Sequence, residues 1–360
     1  MKSSRQDILG QLLMVRLDEN RWTASRERFL RAAQPAGVLL AAPLPSSAAS
    51  TNEVLRKIAS SLPHLPLLAV REEGGTHDPL RAFCPAVPSP HAAAQKGPST
   101  VERLGELLGE ALSFLGFNTN FAPLLDLAMP FTGKTLGART FGADPRHVAE
   151  CGGAFLRGFE RHKVLACGKH FPGLGSVPPG DSREIPVIGK SMAALWREDL
   201  FPYRRLLSQL PMVLVSPAAY KAYDFDRPRP ASLSPQVVEG LLRIKLGYGG
   251  LALAYELESE AVRGTLDLGE AAVQSLNAGC DLLVLNQERS CEVVCRAVKN
   301  GLEAGKLTSR RVEQALSRIH AAKRKLTPPT GKVSKAALEQ LLRRFESFAK
   351  EFRREELRIA

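Results

Sequence analysis

The sequence predicts an α/β fold of the (β/α)8 TIM-barrel type, built as one domain with a C-terminal helical extension, and two observations carry that prediction. Short apolar runs rich in leucine and β-branched residues alternate with longer segments of helical period, the pattern of parallel strands joined by helices. There are about eight such runs, which favours a closed barrel over an open sheet. With 360 residues and 44% hydrophobic content the chain can bury a core of that size.

The expected strands are 12–17, 37–42, 65–70, 119–123, 164–170, 212–217, 250–255 and 281–286. Helical periodicity predicts helices over 52–61, 101–115, 145–162, 192–208, 235–246, 269–278, 291–303 and 309–325. Ser234 before Pro235, and Thr308-Ser309 ahead of Val312, supply capping residues for two of them. The Ala/Pro/Ser-rich stretch 85–99 reads as a loop. Thr327-Pro328-Pro329-Thr330-Gly331 breaks the helical pattern, so the barrel is assigned to 1–326 and a linker with an amphipathic helix to 327–360. In that tail Leu338, Leu341, Leu342, Phe345, Phe348 and Phe352 recur at helical spacing. The tail is expected to pack back on the barrel, with a protein partner or an oligomer contact as the alternative.

Composition narrows the functional classes. No stretch approaches the roughly 20 apolar residues that span a bilayer, and the N-terminus leads into mixed sequence, so a cytoplasmic location without membrane association is expected. The six cysteines are scattered, with no C-x-x-C pair and no histidine cluster at ligand spacing; reduced thiols, no metal and no cofactor are expected. Cys291 and Cys295 are spaced to share one helix face. A net charge of +12 suits an anionic partner, yet the basic residues are dispersed and no nucleic-acid-binding signature is present, so nucleic acid is not the expected ligand.

In a barrel of this type functional side chains stand at the C-terminal ends of the strands. Val70 runs into Arg71-Glu72-Glu73-Gly74-Gly75, Pro123 precedes Asp126, Cys167-Gly168 delivers Lys169-His170, and Leu253-Ala254 delivers Tyr255-Glu256. Together these predict one ligand pocket at the barrel mouth.

Several motifs carry a resemblance across residues 10–325. They are Asn118-Thr119-Asn120-Phe121-Ala122-Pro123-Leu124-Leu125-Asp126, Gly137-Ala138-Arg139-Thr140-Phe141-Gly142, Lys169-His170-Phe171-Pro172-Gly173, Pro230-Ala231-Ser232-Leu233-Ser234 and Ala278-Gly279-Cys280-Asp281. In this order the chain resembles glycoside hydrolase family 3, in its single-barrel bacterial β-N-acetylhexosaminidase branch. The resemblance implies a retaining reaction with a carboxylate nucleophile and an acid/base Asp-x-His pair on a loop after Lys-His. It also implies departures. Asp181-Ser182-Arg183 places Arg183 at the histidine, and a guanidinium does not exchange protons near neutrality. Tyr255 stands at the nucleophile, with Glu256 as its acidic neighbour, which strand alternation would turn away from the site. Arg71 stands where the family grips sugar hydroxyls with an aspartate, and Thr76 replaces a later arginine. Arg139, Lys169 and His170 match sugar contacts.

Relative to the family pattern the pocket gains about three positive charges, which suits a carbohydrate or acidic sugar-like small molecule. Three functions follow as expectations: a catalytically impaired member that binds a ligand; an active glycosidase using Tyr255 as nucleophile with Asp181 or Glu256 as acid/base; or a scaffold or interaction protein.

Overall fold

The computed structural model describes residues 5–18, 22–130, 136–177, 185–264, 266–329 and 331–359. Eight parallel strands close into a barrel in sequence order: β1 (Leu13–Leu17), β2 (Gly37–Leu40), β3 (Leu67–Val70), β4 (Thr119–Asn120), β5 (Leu165–Phe171), β6 (Met212–Val215), β7 (Leu251–Ala254) and β8 (Leu282–Leu285). Each strand falls within or beside its predicted run. Closure is made by β1 against β8, with Leu13 opposite Leu283 and Val15 opposite Leu285. The barrel strands are short and apolar because both faces are covered, the inner by one another's side chains and the outer by helices.

The helical ring holds α1 (Ala24–Ala33), α2 (Ala48–Ser61), α3 (Pro98–Leu115), α4 (Pro145–Glu160), α5 (Met192–Arg197), α6 (Leu200–Leu206), α7 (Gln236–Lys245), α8 (Leu268–Ala278), α9 (Ser290–Glu303) and α10 (Ser309–Lys323). Helix α1 is absent from the sequence prediction; the Thr23 hydroxyl, accepting from Arg26 N at 3.2 Å, starts it. Helix α2 begins four residues before the predicted start, because Ser47 and Ser50 form a reciprocal capping box. The helix predicted over 192–208 is broken at Glu198-Asp199, and α7 is wound as a π-helix. Helices α3 and α4 cross closely through Gly105 and Gly158, where an added Cβ would lie 2.5 and 2.4 Å from the facing backbone.

Two features lie away from the mouth. At the barrel floor Asp281, just before β8, is fully buried and gathers Arg243, Arg311 (2.8 Å) and Arg318 (3.0 Å). Helix α10 is thereby fixed beneath the strands, and its Lys323 donates to the Gln11 side chain at 2.8 Å. The tail forms α11 (Lys335–Ile359), which buries Leu341, Phe345 and Phe348 on the barrel beside α3. Its polar flank pairs Glu351 with Arg103 at 2.6 Å and Arg344 with Glu106 at 3.8 Å. All six cysteines are free, and five are buried. No helix among the described residues is long and apolar enough to cross a membrane.

Candidate functional site at the barrel mouth

The mouth is organised by a turn leaving β3. Asn120, the last residue of β4, grips the backbone of Glu72 from both sides: it accepts from Glu72 N and donates to Glu72 O, each at 2.8 Å. The Glu72 carboxyl bends back to accept from Gly74 N (2.7 Å) and Leu80 N (3.1 Å). Burial and the neighbouring Asp78 push Glu72 well above the usual carboxylate range, so it braces the turn and is not a reserve of negative charge. Gly74 and Gly75 follow with φ of +84° and +63°, which only glycine adopts at little cost.

This turn aims Glu73 into the mouth, where it is 1% exposed. Arg139, on the short turn Gly137–Arg139, donates two hydrogen bonds to it, both of 2.8 Å, and Lys169 Nζ lies 2.5 Å away. Burial alone would raise this carboxyl; Lys169 and Arg139 outweigh it and hold the value at about 2. Lys169 is itself pulled below its ordinary value by burial, which Glu73 offsets only in part.

The next residue, His170, shares the mouth although it is adjacent to Lys169. Alternation along β5 would separate them, but the pairing with β6 shifts register between Lys169 and Phe171, and both side chains reach polar partners. The Lys169–His170 peptide is cis, as are Ala122–Pro123 and Phe171–Pro172. Asp126, fully buried, accepts from Leu174 N (2.7 Å) and His170 N (3.2 Å), and its other oxygen lies 2.8 Å from His170 Nδ1. Burial lowers the imidazole below its usual value against the pull of Asp126, so the neutral ring is favoured, with its proton on Nδ1.

From the opposite wall, β7 delivers Tyr255 and Glu256. The Tyr255 ring stands 5.9 Å from that of His170, tilted by 60°. Glu256 makes a close ion pair with Arg71. Apart from this ion pair, neither of its oxygens has a hydrogen-bond partner among the described residues. Contrary to the strand-alternation expectation, Tyr255 and Glu256 both face the mouth, because β7 ends at Ala254 and the pleat no longer governs them. In the barrel order β3 and β7 are diametrically opposed, so the Arg71–Glu256 pair spans the opening. Arg71 also lies over the Phe121 ring, 5.8 Å from its centroid.

The structure thus brings together Arg71, Arg139, Lys169, His170, Tyr255 and Glu256. Asp181 and Arg183 lie outside the described residues. Arg71, Arg139 and Lys169 meet two carboxylates, Glu73 and Glu256, so the positive excess is smaller than the list of basic residues implies. Glu73 itself was not among the sequence-predicted site residues. Its signal was available in the strand-end run after Val70, where it precedes a double glycine.

Fold and mouth together define a (β/α)8-barrel protein with a cluster of charged and polar side chains at the C-terminal ends of β3, β5 and β7. A model of the Glycosyl hydrolase family 3 N terminal domain matches residues 5–322, and the chain belongs to that family. It is similar to a beta-hexosaminidase of Pseudomonas aeruginosa, 30% identical over 290 residues that cover 80% of this chain and 86% of the relative. Among solved structures it is similar to a fungal multi-domain GH3 beta-N-acetylglucosaminidase, with a TM-score of 0.89 and 25% identity. That match covers 97% of this chain and 43% of the fungal protein, so the chain spans less than half of it. A family 3 beta-N-acetylglucosaminidase from Paenibacillus sp. gives a TM-score of 0.85 and 25% identity, over 96% of this chain and 69% of that one. The chain is thus beta-hexosaminidase-like within family 3.

Proposed function

We propose that this family 3 barrel binds a carbohydrate or an anionic ligand in its mouth without the hydrolysis ordinary for the family. The observation that carries the reading is the Arg71–Glu256 ion pair between the ends of β3 and β7. It occupies the opening that a scissile glycosidic bond and two flanking catalytic groups need. Tyr255, the residue after β7, stands in place of a carboxylate nucleophile, as the family resemblance implies, and Glu256, the neighbouring carboxylate, is engaged by Arg71. Arg183 in place of the family's histidine removes the proton carrier.

The test is turnover of 4-nitrophenyl N-acetyl-β-D-glucosaminide beside an ordinary hexosaminidase of the family. Loss of general acid–base catalysis alone predicts a rate roughly 10²- to 10⁴-fold lower. Turnover within tenfold of the ordinary enzyme overturns the reading. A second reading, with Tyr255 as nucleophile, is favoured by one arrangement: the phenol stands beside an imidazole oriented by Asp126. It requires that Tyr255→Phe abolish whatever turnover exists.

A further inference from the structure

The two carboxylates that meet cations in the mouth are held very differently. Glu73 is fixed by three contacts, two from Arg139 and one from Lys169. Glu256 has one tether, Arg71. The exposures are also unequal: the Arg71 side chain is 31% accessible and that of Glu256 only 4%. Part of the Arg71 side chain is therefore accessible at the opening, although its Nη2, which meets Glu256, is buried, and the carboxylate approaches it from within the protein. A molecule arriving through the mouth meets Arg71 first. If Glu256 withdraws, the Phe121 ring still supports the guanidinium.

We infer that Glu256 is a tethered stand-in for a ligand's acidic group, and that the mouth takes a sugar bearing a carboxylate, which pairs with Arg71 in its place. The inference rests on reading the mouth as a binding site. A neutral hydroxyl is a weak competitor for a guanidinium already in a charge-assisted pair, whereas a carboxylate offers the same two-oxygen geometry as Glu256. Displacement leaves Glu256 buried without a partner, so the internal carboxylate weakens binding by limiting the competent fraction.

This arrangement makes an unusual prediction, that removing a side chain from the pocket tightens binding. Calorimetric titration of D-glucuronate and of D-glucose, its neutral counterpart, into the full chain tests it. Glu256→Gln is expected to bind glucuronate at least tenfold more tightly than the unaltered protein, with weak glucose binding unchanged. Arg71→Met is expected to lose glucuronate binding while keeping its far-UV circular dichroism. If Glu256→Gln gains nothing for glucuronate, the inference fails, whatever becomes of Arg71→Met. If glucose binds as tightly as glucuronate, the ligand class is wrong while the mouth remains a binding site. Rapid turnover of the aryl glycoside would overturn the underlying reading instead.

Discussion

Replacing Glu73 by glutamine keeps the shape of the mouth and removes one charge from its centre. In the folded protein this carboxyl sits at about 2, against 4.5 for an ordinary glutamate. At about 1.4 kcal/mol per unit, that difference corresponds to about 3 kcal/mol of stability at neutral pH. An independent argument gives a similar size: breaking a buried ion pair from one side costs about 3–5 kcal/mol, because the partner is left uncompensated. Here the stranded partner is Lys169, 2% exposed. The lowered value of Lys169 shows that its desolvation is not fully recovered, so the pair as a whole is worth less than the cost of breaking it. Because the folded-state value of Glu73 is depressed, its contribution is complete above the unfolded value of 4.5 and is lost as pH falls toward 2. Urea denaturation followed by circular dichroism should place Glu73→Gln about 3 kcal/mol below the unaltered chain from pH 7 to pH 5, with the gap narrowing below about pH 4.5. A gap under about 1 kcal/mol at pH 7, or one that does not depend on pH, would refute the assignment of Glu73 as the charge anchor of the mouth.

Two further outcomes concern parts of the fold distant from the mouth. Phe345→Ala, which truncates a fully buried ring on α11, should cost about 3–5 kcal/mol in the same denaturation assay. A loss under about 1 kcal/mol would mean that the tail does not pack as described. Asp281→Asn leaves Arg243, Arg311 and Arg318 around an uncharged amide and should cost about 3 kcal/mol or more. It should leave glucuronate affinity unchanged, since it lies at the opposite end of the strands; a changed affinity would show that floor and mouth are coupled.

The barrel was legible because burial on both faces forces strands to be continuous apolar runs, and Leu67–Val70 and Leu282–Leu285 stand out as such. Helix α1 was not legible, because ASRERFLRAA buries only Arg26 and Leu30 and so shows little apolar period. The break between α5 and α6 follows from Asp199, whose fully buried side chain lies 2.5 Å from Lys190 Nζ, a contact between residues on separate segments. In the site, Arg139, Lys169 and His170 could be named from motifs, and Asp126 and Glu73 stood in the quoted strand-end runs, but which side chain each would meet could not be read. Pairing of Arg71 with Glu256 depends on β3 and β7 facing one another across a closed ring, a relation of topology and not of spacing. Glu256 was misdirected by extending strand alternation two residues past the end of β7.

The seam that closes the barrel joins Leu13, near the beginning of the chain, to Leu283. During synthesis β1 leaves the ribosome with one neighbour, β2, and an unpaired apolar edge. No later strand relieves that edge until β8 has been made; each in turn covers its predecessor and exposes its own flank. The nascent chain therefore carries two unpaired strand edges for most of its translation, a non-local topology of the kind that folds slowly. A chain truncated before residue 282 would keep both borders permanently. Such a fragment should aggregate, however well its individual helices form.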